Sequence, residues 1–165
     1  KMAFIDQDSE DPVENASFYN VTEAVGYGCP NSEEDMKVVQ FFLKRVYSTE
    51  RYRNQKPWGE MVTDGKCGPI TRAWITQFQQ HARSKGNNCM VDGVVNKAGN
   101  SGNADNWTSS ISKTHYTIRY LNNVLRKADT QVYKTLTSHP DVPADMRVIF
   151  SQIQASGPLM NYRSS

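Results

Sequence analysis

Aromatic and basic side chains near the middle of the chain are the residues best suited to hold a ligand. Sugar-binding surfaces use an aromatic face for the apolar side of the ring and polar groups for its hydroxyls. Trp58, Arg72 and Trp74 are of these types and lie within a short stretch of sequence. We expect them to form a ligand-binding surface. The alternative for Trp74 is packing under the N-terminal arm or the C-terminal helix.

Histidine and cysteine side chains could in principle bind zinc. The chain has three of each, and no pair has Cys-x-x-Cys or His-x-x-x-His spacing: His81, His115, His139, Cys29, Cys67 and Cys89. The spacing therefore predicts no metal site and no cofactor. An odd number of widely spaced cysteines also argues against a disulfide framework and fits a reducing compartment, although one bridge remains possible.

Carboxylates are the remaining candidates for catalysis, because glycoside hydrolysis needs two of them flanking the scissile bond. The acids at Glu33–Asp35 suit a helix N-terminus, where negative charge is stabilised by the helix dipole. Asp64 and Asp92 each precede a glycine and suit turns. Neither a nucleophile elbow nor another recognisable nucleophile–histidine motif occurs. The sequence therefore predicts a protein that is not an enzyme.

Composition excludes two classes of partner. The net charge is +2, from 19 basic and 17 acidic residues mixed along the chain, so no basic stripe for nucleic acid forms. No apolar run approaches the roughly 20 residues that span a bilayer. No charged segment precedes an apolar one, so we expect synthesis in the cytoplasm without a signal peptide, starting at Met2. The alternative is an excised piece of a longer chain.

Hydrophobic periodicity and capping residues predict the elements that position these side chains. Ser32 is a good N-cap, and Pro69 suits the first position of a helix. Two Asp-Gly turns, each following a short apolar stretch that could form a strand, separate the predicted helices. The predicted helices span 33–47, 69–85, 112–127, 131–136 and 144–153. The predicted organisation is an N-terminal arm (1–30), a domain (31–128) with a loop insertion (96–111), and a C-terminal helical extension and tail (129–165).

Three segments of this domain resemble the peptidoglycan-binding domain family. The stretch from Val62 to Gln79 has the family's Asp-Gly turn, a further glycine, a helical threonine and the Phe-Gln pair. Residues 35–43 resemble its first helix, and residues 91–95 resemble its second Asp-Gly turn. The match spans about residues 33–125. It departs from the family at Cys67, where an aromatic is common, in the missing glycine after the second turn, and in the delayed third helix.

The resemblance implies a mainly α fold with a three-helix peptidoglycan-binding-like core, two short turn or strand elements and added terminal segments. It implies non-catalytic binding of bacterial cell-wall peptidoglycan, by a protein that acts at the wall if it is exported or delivered there. A structural or adaptor subunit of a phage-like or secretion assembly, with a protein partner, is the alternative. An unrecognised cell-wall hydrolase is the second alternative. We expect Gln40 and Gln79, both in the matching segments, to be structural hydrogen-bonding residues.

Overall fold

The computed structural model describes residues 18–99 and 113–155, and helices dominate this part of the chain. The mainly α fold is thereby confirmed. Most of the predicted loop insertion, the first half of the arm and the tail lie outside the described residues. A short 3-10 turn, Arg53–Gln55, precedes the second helix. The helices are α1 (Glu33–Val46), α2 (Pro69–Ser84), α3 (Thr117–Ala128), α4 (Thr130–Lys134) and α5 (Ala144–Ala155).

Local signals set the ends of α1 and α2. The hydroxyl of Ser32 accepts a hydrogen bond from the backbone N–H of Asp35, as expected of an N-cap. Pro69 occupies the start of α2, where its missing N–H costs no hydrogen bond. After α2, Gly86 adopts a φ of 88°, a backbone conformation that glycine tolerates best. Both helices therefore have nearly the predicted bounds.

Helix α3 begins at Thr117, five residues later than predicted. The residues just before it are held away from the helix by contacts with another part of the chain. The backbone N–H of His115 donates to the carbonyl of Asn88 (2.9 Å), and His115 forms a bridge with Cys89. Because this segment bonds to residues 87–89, it cannot also start the helix.

The short strands expected around the Asp-Gly turns do not form within the described residues. Only isolated bridges occur there, one of them between Val25 and Val95, which exchange two backbone hydrogen bonds (2.8 and 3.0 Å). Val25 belongs to the N-terminal arm, so this bridge ties the arm to the second turn. The polar backbone groups of both turns bond to glutamine side chains instead of to a neighbouring strand.

An aromatic cluster at the centre of the core joins α1 to the segments on either side of the predicted domain. Tyr19 of the arm contacts Phe42 of α1 and Phe150 of α5, with ring centroids 6.1 and 5.0 Å apart. Tyr133 of α4 packs against Tyr19 at 5.8 Å. The guanidinium of Arg45 forms an ion pair with Asp129 (2.8 Å) at the junction of α3 and α4. The arm and the C-terminal extension therefore share one hydrophobic core with α1.

The carboxylate of Asp35 also holds the N-terminal arm against α1. Asp35 is buried at the start of α1. It accepts hydrogen bonds from the backbone N–H groups of Thr22 and Glu23 and from the Thr22 hydroxyl, at 2.7–3.0 Å. Its role therefore extends beyond the favourable interaction with the helix dipole predicted from its position.

Candidate functional site

The side chain of Gln40 binds the first Asp-Gly turn to the two helices around it. Its Oε1 accepts a hydrogen bond from the backbone N–H of Gly65 (2.8 Å). Its Nε2 lies within hydrogen-bonding distance of Asp64 Oδ1, the Lys66 carbonyl and the Thr71 hydroxyl, at 3.0–3.2 Å. Gln40 lies on α1 and Thr71 on α2, so one buried amide joins a helix, a turn and the next helix.

The second Asp-Gly turn repeats the same arrangement around Gln79. Its Oε1 accepts from the backbone N–H groups of Asp92 (3.0 Å) and Gly93 (2.8 Å). Its Nε2 lies 3.3 Å from Asp92 Oδ1, 2.9 Å from the Val94 carbonyl and 3.0 Å from the Thr117 hydroxyl. Here α2 supplies the glutamine and α3 the threonine.

The two arrangements, which we call the first and second glutamine locks, explain why the turns need their residue types. Gly65 and Gly93 have φ values of 77° and 73°, which side chains larger than hydrogen rarely adopt. The backbone N–H of Lys66, donating to Asp64 Oδ1, lowers the pKa of that carboxyl below its usual value. Gln40 and Gln79 are fully buried and hydrogen-bonded, which confirms their predicted structural role.

A pocket of about 360 Å³ opens beside the second lock. Gln79 and Thr117 lie at its buried side, and Met90, Val94 and Tyr116 give it apolar surface. Its volume falls at the lower end of the range for small-molecule sites, roughly 300–1,000 Å³. The pocket therefore suits a small ligand or one end of a longer one.

Two side chains of opposite charge line this pocket, Asp92 and Lys97. Oδ1 of Asp92 accepts a hydrogen bond from the Val94 N–H (3.0 Å), so the turn orients the carboxylate. Both side chains belong to exposed residues. Among the residues that the structure describes, neither forms an ion pair with the other or with any third group. A ligand entering the pocket therefore meets a cation and an anion that are not neutralised by each other.

Residues 87–89 hold the part of the pocket wall that contains His115. Nδ1 of His115 lies 3.3 Å from the backbone N of Asn88 and 3.1 Å from Oδ1 of Asn87. The neighbouring ring of Tyr116 is half-buried, and its hydroxyl lies beside Gly99: a Cβ there would come within 3.0 Å of it. These contacts give the pocket a preorganised side.

The structure separates Trp58, Arg72 and Trp74, which we expected to form one ligand-binding surface. The ring of Trp74 is only 2% exposed. It packs edge-on against Tyr47 (5.6 Å), lies under the ammonium of Lys56 (5.9 Å), and donates its Nε1–H to the carbonyl of Trp58 (2.8 Å). Trp74 therefore presents no face to a ligand. The neighbours that cover it belong to the end of α1 and the connection to α2.

Trp58 and Arg72 are exposed, but they lie on opposite flanks of α2. Trp58 is 66% exposed, and the adjacent Gly59 lies against Ile70 of α2. The guanidinium of Arg72 lies 4.4 Å from the ring centroid of Tyr27, on another flank. Positions 70 and 72 of a helix point about 200° apart. The helix therefore stands between Trp58 and the Arg72–Tyr27 pair.

The described residues give no support to metal chemistry or to a membrane-spanning helix. In residues 18–99 and 113–155, no three His, Cys, Asp or Glu side chains group together to hold a metal ion. None of the helices described there is long and apolar enough to cross a bilayer. All three cysteines are free thiols, and burial raises the pKa of Cys89 to about 11, which disfavours the reactive thiolate.

His81 lies in a second group of aromatic residues, at the end of α2. Its ring stacks on that of Tyr47 (6.2 Å, 7° between planes) and meets Tyr52 edge-on at 5.8 Å. The Tyr47 hydroxyl lies 3.3 Å from His81 Nδ1. Burial, and then the positive charge of Lys85, lower the pKa of His81 below its usual value. The folded protein therefore favours the neutral ring.

This arrangement predicts a loss of stability in mild acid. When folding lowers the pKa of a base, the stability it contributes is fully present at pH values above its pKa in the unfolded state, here about 6.5. This stability is lost as the pH falls through the pKa of the folded state. The free energy of unfolding, from urea titrations between pH 7.5 and 5, should fall for the wild type. The His81→Gln variant should lack this part of the decrease. Identical pH profiles for the two proteins would contradict the assignment to His81.

Sequence reasoning alone did not find the pocket. Asp92 suits a turn, Tyr116 falls within the predicted helix 112–127, and Lys97 falls in the predicted loop insertion. The one local signal is the Asp-Gly turn, which marks where a glutamine of the preceding helix must approach. The convergence of residues 92–97 with 114–117 depends on the tertiary fold.

Comparisons with protein-family models, with curated proteins and with solved structures find no match for this chain.

Proposed function

We propose that this protein binds bacterial cell-wall peptidoglycan without catalysing a reaction, and that the pocket beside the second glutamine lock is its binding site. The observation that carries the proposal is the pocket itself. It has a volume of about 360 Å³ and is lined by the carboxylate of Asp92, the ammonium of Lys97 and the ring of Tyr116. Peptidoglycan carries carboxylates, ammonium groups, amides and apolar methyl groups, all of which these side chains can contact.

Two further observations support the proposal. The segments that resemble the peptidoglycan-binding domain family contain the glutamine and the Asp-Gly turn of each lock: Gln40 with Asp64, and Gln79 with Asp92. Of the described residues that line the pocket, Asp92 is the single carboxylate. Acid–base hydrolysis of a glycoside uses two carboxylates, so this lining favours binding without turnover. Such a function requires that the protein be exported or delivered to the wall.

Retention on purified sacculi tests this function. Tyr116→Ala should weaken co-sedimentation with sacculi by about tenfold, because a ring that anchors a ligand often contributes more than 1 kcal/mol. The matched control is Tyr27→Ala, which removes a tyrosine that does not line the pocket and is 74% exposed. The urea midpoint of each variant separates lost binding from lost folding.

Three outcomes would contradict the proposal. Wild-type protein that stays in the supernatant would exclude wall binding. Equal retention of the two tyrosine variants would place the binding site elsewhere. Release of soluble muropeptides by the wild type would instead indicate a hydrolase.

A protein-binding adaptor of a phage-like or secretion assembly is the second candidate function. The exposed apolar side chains of Trp58 and Val62 favour it, because aromatic residues are enriched at protein interfaces. Trp58→Ala should then weaken capture of a protein partner while leaving retention on sacculi unchanged.

A further inference from the structure

The charges of the pocket indicate which part of a wall polymer it can bind. Asp92 and Lys97 both line it, yet no ion pair within 4.0 Å joins them. A ligand with only one charge would leave either Asp92 or Lys97 without an oppositely charged partner. A ligand that carries both an ammonium and a carboxylate satisfies both residues with charge-assisted hydrogen bonds.

The shape of the pocket argues against a glycan chain. A neutral sugar binds best to an exposed aromatic face. Tyr116 is half-buried, with its hydroxyl against Gly99, whereas the exposed rings of Trp58 and Tyr27 do not line the pocket. The apolar side chains of Met90 and Val94 suit the aliphatic side chain that would carry the two charged groups. About 360 Å³ accommodates one or two amino-acid residues.

We infer that the pocket binds the zwitterionic end of a short peptide, with the peptide's ammonium at Asp92 and its carboxylate at Lys97. In peptidoglycan, such a group is the free end of an uncrosslinked diamino acid whose side chain carries both an ammonium and a carboxylate. The inference rests on the proposed function for the source of the peptide, but its chemistry does not depend on that source.

The test uses soluble probes and isothermal titration calorimetry. The first probe is a stem tetrapeptide whose diamino acid has a free ammonium and a free carboxylate. The second is the same peptide acetylated on that ammonium, the third is amidated at that carboxylate, and the fourth is a peptide-free glycan tetrasaccharide. The wild type should bind the first probe, bind the second and third about tenfold or more weakly, and not bind the fourth.

Two substitutions assign each charge to its partner. Asp92→Asn keeps Oδ1, and with it the hydrogen bonds of the turn, but removes the negative charge. This variant should no longer distinguish the free from the acetylated peptide. Lys97→Met should no longer distinguish the free from the amidated peptide. Lys66→Met, which changes an exposed lysine of the first Asp-Gly turn, is the matched control and should behave as the wild type.

The outcomes separate this inference from the proposed function. Binding of the tetrasaccharide, or equal binding of the free and blocked peptides, would overturn the inference even if sacculi retain the protein. Binding of the free peptide with no retention on sacculi would support the pocket chemistry and overturn the wall function. Loss of all peptide binding in the Lys66→Met control would also overturn the inference, because it would place the site at the first turn.

Discussion

Replacing Phe42 by alanine is expected to lower the free energy of unfolding by about 3–5 kcal/mol, the usual cost of truncating a buried phenylalanine. Phe42 is fully buried and stacks on Phe150 (5.5 Å between centroids, 15° between planes). It also contacts Tyr19 of the arm and Tyr133 of α4. The substitution therefore leaves a cavity where arm, α1, α4 and α5 meet. Urea denaturation followed by far-ultraviolet circular dichroism measures the loss.

A loss of this size is a large part of the total stability of a domain, typically about 5–15 kcal/mol. The matched control is Val148→Ala on α5, where the side chain is exposed and truncation should change stability by less than about 0.5 kcal/mol. A loss below about 1 kcal/mol for Phe42→Ala would show that the aromatic cluster is not the centre of the core.

Replacing Gln79 by leucine is expected to cost about 3 kcal/mol or more. Leucine would leave the N–H groups of Asp92 and Gly93 without their acceptor, and each buried unsatisfied group costs about 1–3 kcal/mol. It would also remove the donor to the Thr117 hydroxyl at the start of α3. Because Gln79 lies at the buried side of the pocket, binding of the stem tetrapeptide should be lost together with stability.

The control for this substitution is Gln80→Leu, at the next position of α2, where the residue is exposed. Its effect should stay within about 0.5 kcal/mol. If Gln79→Leu unfolded at the same urea concentration as Gln80→Leu, the second glutamine lock would not contribute to stability.

Helices α1 and α2 could be predicted from the sequence because their signals are local. The Ser32 cap, the proline at position 69 and the glycine at position 86 act on neighbouring backbone groups, so no tertiary information is needed. The predicted ranges, 33–47 and 69–85, differ from the observed helices by one residue at the C-terminal end. The sequence pattern predicts too early a start for α3, because that start depends on a contact with residues 87–89.

The burial of Trp74 depends on a segment outside α2, so the apolar face of the helix alone does not predict what covers it. Thr71, Ile75 and Phe78 follow helical spacing and are buried on the inner side of α2. Trp74 lies four residues before Phe78, so it lies on the same face one turn earlier. The connection before α2 then covers it, through the Trp58 carbonyl. The position of that connection could not be predicted from the periodicity of the helix.

Helix α2 contributes the threonine of the first glutamine lock and the glutamine of the second. Distortion of α2 therefore withdraws a partner from both locks at once. A chain with such a shared element is expected to unfold as one cooperative unit rather than as two successive halves. The two Asp-Gly turns therefore do not divide the protein into two halves that fold independently. A fragment ending between residues 86 and 92 would lack the acceptor groups that Gln79 needs, and α2 would expose a buried amide to solvent.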